Sequence, residues 1–304
     1  MSILHNDEGM WLINKPPVAR LQQLYGFEPT SEWCERVQKA SVRMNNGGSA
    51  SFVSPLGLIA TNCHVAAGVL HDISSPKKDY AADGFYAHEL EDEVKSPELE
   101  VNILWHIEDV TDRVLQAVRH NMSPAQAMIA KRAVIAQIEK ESHDATGLRC
   151  DVVTLYQGGA YHLYQYKKYT DVRLVFAPEH AIAKFGDDID NYEYPRYALD
   201  VSFLRVYENG KPLHHERFFT WSDKNSEESD LLFVAGHPES TDRLSTLGRV
   251  LALRDWGLPY DLRLLYREEI VIQQFAGRSR ENKRIAGHAL YHAQNLRKIG
   301  RAHV

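Results

Sequence analysis

A chain of 304 residues with 44% hydrophobic content can bury a sizeable core, as one large domain or two smaller ones. Its 35 basic and 41 acidic side chains are well mixed and leave a formal charge of −6, which argues against nucleic acid as the main partner. No apolar run approaches membrane-spanning length, and the scattered Cys34, Cys63 and Cys150 allow at most one disulfide and show no metal-type spacing.

Taken in order, Asp7 to Trp11 and the Pro16-Pro17 break open the chain as a surface lead-in. Ser31 to Val42, with Trp33 four residues before Val37, predicts a short helix packed on one face. Met44 to Gly48 is a polar turn. Ser51 to Gly68 then reads as two short buried strands meeting at Pro55-Leu56-Gly57, the second delivering His64 into a loop beside small Ala66, Ala67 and Gly68. A histidine there is placed for acid–base work, although a packing or capping histidine fits the same pattern. Ser49 lies before it in GGSA without the glycine elbow of a nucleophile.

The charged stretch 74–100 reads as a surface excursion. Val110, Val114, Ala117 and Val118 recur at helical spacing, and Ser123-Pro124 with Gln126 starts a second helix reaching about Glu141, giving an antiparallel pair. Val152 to Tyr156 and Ala160 to Tyr166 flank Gly158-Gly159 as a hairpin, followed by a strand over Val172 to Phe176. The run Lys184 to Tyr207 holds Asp187, Asp188, Asp190, Asn191, Tyr192, Tyr194 and Pro195-Arg196, with Asp200 leading into a strand. A carboxylate leading into a buried strand is costly unless hydrogen-bonded or paired, and a histidine N–H would serve.

Beyond the turn at Asn209-Gly210, Glu216 to Trp221 and Leu231 to Gly236 predict further strands. His214, His215 and Glu216 alternate faces on a strand, so they cannot chelate one ion from one side. From Leu244 the pattern is helical. Leu262, Leu265 and Glu269 to Val271 mark one helix, and Ile285, Ala289, Ala293 and Leu296 mark another with Asn295 on its flank.

Four segments resemble a family. DEGMWL at Asp7 to Leu12, GGSASFVSPLGLIATNCH at Gly47 to His64, FGDDIDNYEYPR with the following Asp200, and QNLRKIG at Gln294 to Gly300 are similar to the bacterial dipeptidyl peptidases numbered 7 and 11. The resemblance implies a mainly β fold with α, a chymotrypsin-like double β-barrel with an inserted α-helical domain. Residues 1–243 would form the barrel region with a helical excursion at about 107–142, and 244–304 the start of the helical cap. By resemblance the general base falls on His64 and the triad acid on Asp200, not on Asp187, Asp188 or Asp190. The groups binding the substrate N-terminus fall on Asn191, Tyr192 and Asn295. Tyr192 stands where the family more often has Trp, and Cys63 and Val65 replace its usual His and Cys.

No GxSGS-type segment follows Asp200, so the expectation is a fragment lacking the nucleophilic serine and inactive alone. The implied function is a serine-type dipeptidyl peptidase acting on peptides with a free N-terminus, with no cofactor, no metal and no nucleic-acid or membrane partner. A homodimer and a periplasmic or extracellular place also follow from the resemblance, although MSILHNDEGMW does not read as a signal peptide. Two alternatives stand beside it. One is a catalytically dead peptide-binding module of the same fold; the other is a metal-dependent hydrolase holding a hard cation such as Ca²⁺ on Asp187, Asp188 and Asp190.

Overall fold

The computed structural model describes residues 10–183, 197–237 and 245–302. The helices are α1 (Val18–Tyr25), α2 (Ser31–Ala40), α3 (Cys63–Ile73), α4 (Tyr80–Asp83), α5 (Thr111–Leu115), α6 (Pro124–Thr146), α7 (His180–Ala183), α8 (Leu247–Ala252), α9 (Leu258–Ala276) and α10 (Arg280–Ala302). The strands are β1 (Ser41–Met44), β2 (Ser49–Phe52), β3 (Leu58–Thr61), β4 (Phe85–Tyr86), β5 (Val94–Lys95), β6 (Val101–Asp109), β7 (Arg149–Leu155), β8 (Ala160–Tyr169), β9 (Asp171–Ala177), β10 (Ser202–Glu208) and β11 (Lys211–Pro212). They belong to two compact units. The first takes the chain up to Ile59, Glu100–Thr170 and Val206–His237; the second takes Ala60–Leu99, Asp171–Arg205 and the C-terminal stretch.

In the first unit, β2, β1, β6, β8 and β7 pair antiparallel in that order. Period-two alternation sends Val42, Met44, Ala50 and Phe52 inward, and these side chains are fully or almost fully buried. The β7–β8 hairpin forms around Gly158 as expected, with Tyr156 and Gln157 also at positive φ of 50° and 55°. Asn209 and Gly210, at φ 52° and 74°, make the turn into β11. Helix α6 begins at the predicted capping box: the Ser123 hydroxyl accepts the Gln126 N–H, and the Gln126 side chain accepts the Ser123 N–H. Ile138 of α6 packs with Val110, Val114, Tyr161 and Leu163 in a satellite core.

Two expectations change here. Residues 107–109 belong to strand β6, so the helical excursion starts only at Thr111 and α5 is a single short helix. Residues 216–221 and 231–236 are not strands. Phe219 makes one main-chain bond, its N–H to the Phe52 carbonyl at 2.8 Å, and Phe233 instead packs against Phe27 and Trp33 with ring centroids 5.2 and 4.9 Å away. An apolar alternation becomes a strand only where a neighbouring edge supplies the ladder bonds, and among the described residues none does so for these runs.

In the second unit, β4 and β5 both pair antiparallel with β9, through Phe85↔Ala177 and Val94↔Leu174. The stretch expected as a surface excursion therefore carries ordered elements, secured by the Arg205–Glu93 ion pair at 2.8 Å on a nearly buried carboxylate. The two helices expected here form as α9 and α10 and pack together, but of the expected stripe only Ala293 is buried, while Ile285, Ala289 and Leu296 are exposed. Ala286 and Ala293, seven residues apart, are buried on one face of α10, and buried Glu269 of α9 receives Arg297 at 2.7 Å and Gln294 at 3.1 Å.

Candidate active site

The site begins where β3 stops. Asn62 holds an extended backbone, φ −77° and ψ 150°, as the N-cap of α3, and Cys63, Ala66, Val69 and Leu70 then recur at helical spacing as its buried face. The sequence reading put His64 in a loop. Instead it occupies the second position of α3, because Ala66 and Ala67 favour helix and the apolar spacing rewards it. The signal was present in that spacing, masked by the reading of small residues as loop formers.

Asp200 lies two residues before β10 and comes to this helix end across 136 positions. His64 Nδ1 is 2.7 Å from Asp200 Oδ2, within the expected hydrogen-bond reach, and the His64 backbone N–H donates to Oδ1 at 2.9 Å. The carboxylate is mostly covered, its side chain 13% exposed, whereas the imidazole is 46% exposed. A carboxylate only accepts, so it selects the tautomer with the proton on Nδ1 and leaves Nε2 as the basic nitrogen. Such a pair can act chemically as a general base with an orienting acid. Sequence reasoning missed one participant: Asn62 Nδ2 donates to the Asp200 carbonyl at 3.1 Å and to Oδ2 at 3.2 Å.

His64 and Asp200 also line a cavity of about 640 Å³ whose other walls include Leu70 of α3, His180 of α7, and His288 and Tyr291 of α10. Burial, with His71 and His292 nearby, holds His288 below the ordinary histidine range. Asn295, half-buried, sits one turn along α10 from Tyr291 and so projects on much the same side of that helix. Asn191, Tyr192 and the acids Asp187, Asp188 and Asp190 lie outside the described residues.

Three other polar residues prove structural in their contacts. Ser49 Oγ accepts the His237 N–H at 2.8 Å and anchors that loop. Burial, reinforced by Arg43, pushes His237 down to about 4. His215 is buried against the Phe52 ring, with Nε2 2.9 Å from the Lys39 carbonyl, while the adjacent His214 is exposed. The expected exposed hairpin leg is thus half right, since every second side chain turns inward.

An antiparallel β scaffold with helices thus presents a histidine–aspartate pair at a strand-to-helix turn, a geometry suited to proton transfer. The chain matches the Peptidase S46 family model over residues 6–303 and belongs to that family. It is 31% identical over 260 residues to dipeptidyl-peptidase 7 of Capnocytophaga gingivalis, covering 80% of this chain and 36% of that protein. It is 30% identical over 295 residues to the Asp/Glu-specific dipeptidyl-peptidase of Porphyromonas gingivalis, covering 88% of this chain and 40% of that protein. Among solved structures, DPP11 of Porphyromonas endodontalis in complex with the dipeptide Arg-Glu matches with a TM-score of 0.82 at 25% identity, over 97% of this chain and 46% of that one. The chain therefore spans less than half the length of these relatives.

Proposed function

We propose that this chain supplies the base, the orienting acid and the N-terminus-binding groups of a serine-type dipeptidyl peptidase. The observation that carries the reading is the 2.7 Å His64–Asp200 contact, with an exposed imidazole and a covered carboxylate, in a member of a peptidase family. His64 Nε2 takes the proton of a serine hydroxyl as that oxygen attacks the scissile carbonyl, and returns it to the leaving amine. Asp200 fixes the imidazole and stabilises its cation. Residues 201–304 contain no GxSGS segment, so the serine is assigned to a part of the polypeptide outside them.

Release of dipeptides requires the substrate ammonium to be held at a fixed distance from that serine. Carbonyl oxygens of Asn191 and Asn295 accept from the ammonium, and the Tyr192 ring offers a cation–π face. Peptides with a free N-terminus are thus the substrate class. The chymotrypsin-like double barrel over 1–243, the helical cap from 244 and a periplasmic or extracellular place belong to the same reading, supported by the family membership.

The test compares free and N-acetylated peptides on the full-length protein. Asn295→Ala or Asn191→Ala should lower kcat/KM for free peptides by about tenfold to hundredfold, through loss of a charge-assisted hydrogen bond. The already poor cleavage of the acetylated peptide should barely change. Equal losses on both peptides would reduce the two asparagines to structural residues.

A further inference from the structure

Asn62 occupies the position at which an asparagine side chain ordinarily turns back to accept a backbone N–H of its own helix, yet it makes no such bond. The N–H it would have capped, that of His64, is taken by Asp200 Oδ1 at 2.9 Å. The Asn62 amide points at Asp200 instead, 3.1 Å from its carbonyl and 3.2 Å from Oδ2. Both partners are acceptors, so the amide nitrogen must face them, and a flipped amide would set oxygen against oxygen.

The two residues have exchanged duties: Asp200 caps the helix that presents His64, and Asn62 ties the Asp200 main chain to its carboxylate. Oδ2 is also the oxygen that meets His64 Nδ1 at 2.7 Å, so the Asn62 bond fixes where that oxygen sits in relation to the imidazole. We infer that Asn62 is a positioning residue for the His64–Asp200 pair, acting through Asp200 and not on the substrate. The inference rests on the acid–base reading of that pair.

Asn62→Asp separates positioning from capping. Aspartate caps a helix N-terminus at least as well as asparagine and suits the helix dipole, so a purely capping role predicts unchanged or higher thermal stability and unchanged kinetics. A positioning role predicts the reverse for kinetics, because a carboxylate now faces the Asp200 carboxylate and carbonyl. Asn62→Ala, which removes the donor without adding charge, should lower kcat about tenfold with KM for a dipeptidyl substrate moved less than twofold, and Asn62→Asp should lower it further. In parallel, selective ¹⁵N-histidine labelling reads the His64 ring, whose Nδ1–H signal should broaden and exchange faster in both variants. Retention of wild-type kcat and of that signal in Asn62→Asp would overturn the inference and leave Asn62 without a positioning role. Should the protein show no His64-dependent peptidase activity, the proposed function fails, and the ring signal alone decides the positioning role.

Discussion

Among the described residues, two histidine–aspartate pairs are built in opposite ways. In the first unit His162 and Asp109 face each other across β8 and β6, with His162 fully buried and its Nε2 3.4 Å from Asp109 Oδ2. Neither ring nitrogen has a hydrogen-bond partner, while Asp109 is half exposed and accepts the Thr111 N–H at 3.0 Å at the start of α5. In the second unit the exposure is inverted: the imidazole of His64 is open, and the Asp200 carboxylate is covered and receives N–H groups from His64 and Asn62. A covered, hydrogen-bonded carboxylate can orient an accessible ring for proton transfer. A solvated carboxylate beside a sealed ring cannot, because the ring has no route to a reacting proton.

The contrast breaks most sharply on activity. In the full-length protein Asp200→Asn should reduce kcat/KM by about 10³- to 10⁴-fold, since the amide favours the wrong imidazole tautomer. Asp109→Asn should change it less than about threefold. Comparable losses would mean that the two pairs are not different in kind.

On stability the order reverses. His162→Ala should cost about 2–4 kcal/mol in denaturant unfolding, because it empties a fully buried site in the sheet. His64→Ala, at a ring 46% exposed, should cost under about 1 kcal/mol. His162→Leu sharpens the comparison: since neither ring nitrogen is hydrogen-bonded, an apolar side chain of similar bulk should recover most of the loss. An equal cost for Leu and Ala would show that the ring nitrogens contribute after all.

His237 of the first unit gives a pH test of intermediate size. Burial beside Arg43 lowers His237 to about 4 from an ordinary 6.5, so between those values the unfolded chain binds the proton that the fold resists. Stability due to this residue is complete above pH 6.5 and falls as the pH drops towards 4, by up to ~3 kcal/mol at 1.36 kcal/mol per unit. His237→Gln should flatten the unfolding free energy over that window, and parallel wild-type and variant curves would count against it.

Much of this was legible in the sequence where a local rule sufficed. The β7–β8 hairpin, the Ser123–Gln126 capping box, the Asn209-Gly210 turn and the existence of helices α9 and α10 all follow from short-range chemistry. The pairing of His64 with Asp200 does not, for 136 positions separate them and three other acids of the same run precede Asp200 in the sequence. The place of Asp200 at the head of a buried strand hinted at a histidine partner, but only family resemblance chose it over Asp187, Asp188 and Asp190. Asn62 was invisible for a different reason: at a helix N-cap the expected bond is local, and nothing in the residue order shows that Asp200 takes that duty over. Glu216 to Trp221 and Leu231 to Gly236 failed as strands because propensity cannot supply a partner edge.

The smallest expected effect concerns what holds Asp109. The Thr111 hydroxyl and backbone N–H, with help from Lys15 and least from His162, hold its carboxyl down to about 2 from an ordinary 3.8. A carboxylate lowered in the fold contributes stability that is complete above its unfolded value near 4 and is lost as the pH falls through about 2. Asp109→Asn should therefore differ from wild type in unfolding free energy at pH 5, with the difference closing as the pH approaches 2; solvent screening at this half-exposed side chain keeps it small. Thr111→Val should remove most of that pH dependence, whereas His162→Leu should leave it nearly intact. If His162→Leu removed it instead, the buried ring would be the carboxylate's main partner, and the two histidine–aspartate pairs would be more alike than their geometry indicates.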